Sequence, residues 1–205
     1  MNKVNQTNFA RRDFVKSSVA GTGLLLVSSK TAFSADANSL IQIGLIGCGG
    51  RGNNDASKFI RYTKSRVVAL ADPFEDRLQS TQKSLNSRMA EMDRSAMDKS
   101  NIFQGMDSYQ DLLALKDVDM AIITSPPYYH PLHMEAAVDA GKHVYMEKPV
   151  ATDVAGAKRV MQAGAKAHGK QSVAVGFQIR YAPSYQALAK RIHRGDLGDI
   201  VHGHV

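Results

Sequence analysis

Residues Gln42–Gly52 read QIGLIGCGGRG, and the reading of this stretch decides the fold. Ile41, Ile43, Leu45 and Ile46 make a short apolar run with the length of a buried parallel strand. The run passes directly into Gly47-Cys48-Gly49-Gly50-Arg51-Gly52, a G-x-G-x-x-G pattern. At such a junction the first glycine permits a tight turn. The second lets backbone approach a pyrophosphate, and the third lets the next helix close on the strand. The amides and dipole of that helix then face the phosphates. Alone, the pattern fits an ordinary glycine-rich turn equally well, so its surroundings carry the argument.

Downstream, Arg66–Ala71 is a second apolar, β-branched run that ends in Asp72-Pro73. Pro73 cannot continue a ladder. Asp72 stands 20 residues after Gly52, where a dinucleotide fold places the acid that bonds the ribose hydroxyls. An aspartate before a helical stretch also serves as an ordinary N-cap; the glycine loop at the right distance favours ribose binding. A carboxylate there repels a ribose phosphate and selects NAD, while Arg77 keeps NADP open. Further strands are read at Asn101–Phe103, Val118–Ile123, Lys142–Met146 and Ser172–Val175. Helices alternate with them after Gly52, from Phe74, at Ser108–Leu113, from Pro131 to a Gly141 stop, and from Asp153 to a Gly169 stop. Strand–helix alternation without hairpin signals predicts a doubly wound parallel sheet, an α/β class fold.

The 205 residues are 43% hydrophobic, enough for one full domain and part of another. The formal charge of +7 falls to +4 once residues 1–37 are set aside, and it is scattered without a basic run. Such a distribution argues against nucleic acid as a partner. Cys48 is the only cysteine, so no internal disulfide forms; it reads as a small filler of the loop, with no activating base in sight.

Residues 10–16 read ARRDFVK, which resembles a twin-arginine export signal. The following SSVAGTGLLLVSS is apolar in patches, broken by Gly21 and Gly23, and too short for a stable membrane span. Ala35-Asp36-Ala37 supplies an A-x-A cleavage site, giving a signal peptide over 1–37 and a mature start at Asn38. The expected location is the periplasm or beyond, with the twin-arginine export machinery as a partner. A dinucleotide protein sent there cannot draw on a cytoplasmic pool and is expected to hold its cofactor tightly.

Five blocks, GLIGCGGRG, ALADP, ITSPPYYH, GKHVYMEKP and VGFQIRYAP, together resemble the Gfo/Idh/MocA oxidoreductases in order and spacing. The resemblance implies a Rossmann domain over 38–180 and, over 181–205, the beginning of a second α/β domain with an open antiparallel sheet. Tyr181–Gly195 would be its entry helix and Ile200–Val205 the start of its first strand. The family's second domain is longer, so the chain reads as truncated, with the family's catalytic histidine expected beyond Val205 and not at His193, His202 or His204. His202 and His204 read as sheet-surface residues.

The resemblance also assigns the site. The loop from Gly47 through Cys48, Gly49, Gly50 and Arg51 to Gly52 would hold the cofactor with Asp72. Ser125, Pro126 and Pro127 would lie beside its ribose and nicotinamide, and His130 would line the cleft. His133 reads as helix surface, and no third ligand accompanies the two histidines to make a metal site. Lys148 carries over the family's reactive lysine. Oxidising an alcohol needs a group to take the hydroxyl proton, and a desolvated lysine near a cationic nicotinamide is lowered toward neutrality. Glu147 would position Lys148 or contact the cofactor, and Arg180 would reach the substrate or the domain interface. The plainer alternatives are a strand-to-helix turn at 125–127 and a surface ion pair at 147–148.

The leading expectation is an NAD-dependent oxidoreductase acting on a sugar or cyclitol hydroxyl, a homo-oligomer when full length. One alternative resembles glycoside hydrolase family 109, in which bound NAD serves an oxidation–elimination cycle outside the two-carboxylate scheme. Another is a non-catalytic dinucleotide-binding protein.

Overall fold

A computed structural model describes residues 40–203. The twin-arginine stretch, the cleavage site and the whole 1–37 segment lie outside the described residues, as do His204 and Val205.

Six strands form one sheet: β1 (Ile41–Ile46), β2 (Ser65–Asp72), β3 (Ile102–Gln104), β4 (Met120–Ile123), β5 (His143–Met146) and β6 (Val173–Val175). Their spatial order is β3-β2-β1-β4-β5-β6, and every neighbouring pair is parallel. Among the described residues the α-helices are α1 (Gly50–Tyr62), α2 (Glu75–Ala90), α3 (Ser108–Ala114), α4 (His130–Asp139), α5 (Val154–Ala167) and α6 (Pro183–His193). The doubly wound parallel sheet read from the sequence is thus the observed fold.

Alternation along β1 explains the layers. Ile43 and Leu45 face one way, into a core with Ala56 and Ile60 of α1 and Leu78, Leu85 and Met89 of α2. Ile46 faces the other way, into a core with Leu112 and Leu113 of α3, Met134 and Ala137 of α4, and Ala163 and Ala167 of α5. Burial on both faces makes a parallel strand apolar throughout, which is why β1, β2 and β4 stand out as unbroken runs. Gly44 lies against Leu112, and a Cβ there would press on its side chain.

The order of crossovers reverses at β1. The chain leaves it toward β2 and β3 on one side and later returns to β4, β5 and β6 on the other. Open sheets of this kind bind ligands at that reversal, outside the carboxyl ends of the strands. Gly47, Asp72, Ser125, Glu147 and Gly176 all follow or close strand ends there.

The structure departs from expectation near the end of the described chain. The entry helix is present as α6, but residues 200–203 carry no strand. His202 therefore belongs to irregular backbone, not to a sheet surface. A strand needs a neighbouring edge to satisfy its amides, and among the described residues none pairs with this segment. Among the described residues no helix is long and apolar enough to cross a membrane.

Candidate functional site

The glycine loop owes its shape to close backbone approach. Gly47 has φ +93°, and its amide donates to the Ala71 carbonyl at 2.9 Å. A Cβ at Gly47 would stand 2.6 Å from the Ser125 nitrogen and 2.7 Å from the Thr124 carbonyl carbon. The Thr124 hydroxyl donates to the Gly47 carbonyl at 2.7 Å, tying the loop to the end of β4. A Cβ at Gly52 would overlap that same carbonyl oxygen, so the third glycine lets α1 settle on the turn. The N-cap Gly49 offers α1 no side-chain hydrogen bond, and no acidic residue stands in its first turn. The first helix amides are thus left for an anion, which suits a phosphate cradle.

Asp72 closes β2 and is buried. Its Oδ2 accepts from the Cys48 amide at 2.7 Å and its Oδ1 from the Phe74 amide at 2.9 Å. The carboxylate therefore pins the glycine loop to the second strand while standing in the wall of the cleft. Cys48 is buried behind the loop. Burial first, with Asp72 adding, pushes its thiol up, the opposite of an activated nucleophile.

At the end of β4, Ser125 is buried and its Oγ lies 2.9 Å from His133 Nδ1. His133, expected on the helix surface, is only 6% exposed. Its ring stacks on Tyr129 with 5.9 Å between centroids and packs on Tyr109 at 4.4 Å. The correction has a simple cause: His133 shares with His130, Met134 and Ala137 the face of α4 that is buried. His130 is buried as well. Its Nδ1 lies 2.6 Å from the Pro149 carbonyl and its Nε2 2.8 Å from the Ser125 carbonyl, bracing the loops after β4 and β5.

Burial first, then the neighbouring His130, lowers His133 from 6.5 to about 4. With its folded value below the unfolded one, its stabilising contribution is present above about 6.5 and lost as the pH falls toward 4. The full span corresponds to on the order of 3 kcal/mol. Denaturant melts at neutral and mildly acidic pH are expected to show a smaller acid loss in His133→Gln than in the unaltered chain. Equal losses would place the acid sensitivity elsewhere.

Glu147 follows β5 and is 5% exposed; Lys148 is exposed, and the Lys148–Pro149 peptide is cis. Arg51 reaches from the glycine loop to Glu147, with Nη2 2.5 Å from Oε1. The Glu147 hydrogen bond is the first cause that holds the Arg51 guanidinium above its ordinary range.

These groups meet in a cleft of about 390 Å³. It brings together Gly47, Gly49, Arg51, Asp72, Ser125, Pro126, Pro127, His130, Glu147 and Lys148. Cys48, Gly50 and Gly52 shape the loop from behind or beside it, and Arg180 is exposed in a 3-10 turn at Gln178–Tyr181, outside the lining. Gln178 occupies the cleft wall instead, together with Arg77 and Thr124. A second cavity of about 250 Å³ adjoins it past Asp72, walled by Phe74, Met106, Tyr109 and Tyr129. Among the described residues no group of three or more His, Cys, Asp or Glu side chains is placed to hold a metal ion.

A parallel sheet in this order, with a phosphate-type glycine loop at its reversal point, defines the dinucleotide-binding Rossmann class. Residues 41–177 match the GFO_IDH_MocA family, an oxidoreductase family with an NAD-binding Rossmann fold, and the chain belongs to that family. It is 31% identical over 165 residues to inositol 2-dehydrogenase 3 of Saccharopolyspora erythraea, covering 80% of this chain and 44% of that protein. It is 33% identical over 163 residues to inositol 2-dehydrogenase of Gluconacetobacter diazotrophicus, covering 79% and 44%. Among solved structures, scyllo-inositol dehydrogenase from Lactobacillus casei with bound NAD(H) and scyllo-inositol superposes with a TM-score of 0.66 at 26% identity, covering 79% of this chain and 43% of that one. The chain thus spans less than half the length of these relatives.

Proposed function

We propose that the protein is an NAD-dependent dehydrogenase that oxidises a hydroxyl of a cyclitol or related sugar. One observation carries the reading: the glycine loop, Asp72 and the Glu147-Lys148 strand end face one cleft at the reversal point of the sheet. The relatives named as inositol dehydrogenases support the cyclitol class.

The residues fit a dinucleotide. The open N-terminus of α1 suits the pyrophosphate, because its first amides lack side-chain caps. Asp72 lies beside the loop on the β2 side, where its carboxylate would accept from ribose hydroxyls and repel a 2′-phosphate. The aromatic cavity beyond it suits a flat adenine ring. Ser125, Pro126 and Glu147, at the ends of β4 and β5, would then hold the nicotinamide half. When bound, NAD supplies the acceptor for the hydride leaving the carbinol carbon. Lys148, exposed in the cleft, would take or hold the hydroxyl proton as that hydride leaves. Arg77, whose guanidinium lies 4.8 Å over the Phe74 ring, is held against an aromatic face near the adenosine end.

Two measurements on the protein test the reading together. Incubation with myo- or scyllo-inositol and NAD is expected to produce reduced nicotinamide absorbance. Titration is expected to favour NADH over NADPH by roughly tenfold or more, the scale of one like-charge contact. Aryl-glycoside cleavage without net change in NAD, or equal affinity for both cofactors, would overturn the corresponding half.

A further inference from the structure

An arginine inside a glycine loop is ordinarily taken for a phosphate ligand. Arg51 is engaged elsewhere. Its Nη2 lies 2.5 Å from Glu147 Oε1, and its Nε lies 3.0 Å from Asp55 Oδ2 one helical turn on. Glu147 is separated from it by 96 residues of sequence, so the contact joins the loop after β1 to the end of β5. We propose that Arg51 is a positioning residue that holds the Glu147 carboxylate in place for the nicotinamide half of the cofactor. The inference rests on the NAD reading above.

The surroundings of Glu147 leave it little choice of position. A Cβ at Gly176 would overlap its carboxylate, so the loop after β6 closes one side. Tyr145, two residues earlier in β5, points the same way, and the Tyr145 hydroxyl donates to Oε1 at 3.4 Å. Tyr145 is fixed in turn by Phe59 of α1, edge to face with centroids 5.1 Å apart. Burial first, then Asp55 and Glu147, raises the Tyr145 phenol to about 12, so it keeps the proton it donates.

Charge makes Arg51 the critical member. Asp55 is 4% exposed and Glu147 5%, so two buried carboxylates share one guanidinium. Although Arg51 Nε is close, the angle makes no hydrogen bond, and Asp55 Oδ2 has no hydrogen-bond donor. Burial first, opposed by Arg51 and reinforced by Glu147, raises the Asp55 carboxyl. Removing the guanidinium would leave both carboxylates uncompensated and facing each other, a costly state relieved only if one of them moves or takes up a proton.

Where Arg51 acts can be read by comparing ligands of different length. ADP carries the adenosine and pyrophosphate; NAD adds the second ribose and nicotinamide that extend toward Glu147. Calorimetric titration of the protein and its Arg51→Gln, Glu147→Gln and doubly substituted forms should separate the cases. Arg51→Gln is expected to leave the ADP dissociation constant within about twofold and weaken NAD about tenfold or more, the loss of one charge-assisted contact. Glu147→Gln should do the same, and the double variant should bind NAD no worse than the weaker single one. Equal weakening of ADP and NAD in Arg51→Gln, or factors that multiply in the double variant, would overturn the inference. Should Arg51→Gln fail to fold, Arg51→Lys retains the charge without the two-pronged fork, and it must still weaken NAD several-fold while sparing ADP. Unaltered protein that binds neither nucleotide overturns the NAD reading, and this inference with it.

Discussion

Replacing Lys148 with alanine is expected to lower turnover about a thousandfold while NAD binding changes by less than about threefold, the signature of a lost proton-transfer group. The argument begins with position. Lys148 is the first residue past Glu147, its side chain is exposed in the cleft, and its backbone amide donates to Glu147 Oε2 at 3.3 Å. The side chain is thus carried by a strand end that the sheet holds firmly, with Glu147 donating to Ile123 through its own amide at 3.0 Å. It makes no contribution to the glycine loop or to Asp72, which is why the cofactor should stay bound. Lys148→Arg should not restore activity, because a guanidinium cannot release its proton near neutral pH. Rapid-mixing absorbance at the reduced-nicotinamide band, with separate titration of NAD, reads both quantities. Turnover within tenfold of the unaltered protein would remove Lys148 from the chemistry.

Gly47→Ala is expected to be among the most damaging single-methyl changes in the domain. The residue sits at φ +93°, which disfavours any side chain by about 1–2 kcal/mol. The added carbon also meets backbone, not a movable side chain: the Ser125 nitrogen at 2.6 Å and the Thr124 carbonyl carbon at 2.7 Å. Overpacking against such atoms costs about 1–3 kcal/mol, so the total is roughly 2–5 kcal/mol. The melting temperature should fall by on the order of 10 °C. NAD affinity should drop beyond measurement, because the turn that aims the α1 amides would have to open. Gly50→Ala is the control: a Cβ there has nothing within 4 Å, and stability should change by less than about 0.5 kcal/mol. Similar melting curves for the two variants would refute the steric account.

Much of this was legible from sequence because buried parallel strands announce themselves. β1, β2 and β4 are apolar on both faces, and each ends in the residue type its task requires: Gly47, Asp72 and Ser125. The strand read over 200–205 came from resemblance alone, and no local pairing supports one at 200–203. A polar residue on a helix is ordinarily exposed, yet the spacing of His133 from His130 and Ala137 puts it on the buried face. The sequence also carries a signal for Asp55 and for Tyr145. Asp55 stands four residues after Arg51 on one helix, and Tyr145 stands two before Glu147 at the end of one strand. Gln178 and Gly176 carried no such signal, since only the fold brings the loop after β6 against Glu147.

Asp72 carries a consequence for anyone wishing to redesign the coenzyme preference. The carboxylate that would face the ribose is also the acceptor for the Cys48 and Phe74 amides, and through Cys48 it anchors the phosphate turn. A neutral, smaller residue introduced to admit a 2′-phosphate would therefore loosen the grip on the pyrophosphate in the same stroke. Adaptation toward the phosphorylated coenzyme at this position is pleiotropic: it must recruit a second substitution that restores an acceptor for the loop, and the single-residue route passes through a protein that holds both coenzymes poorly.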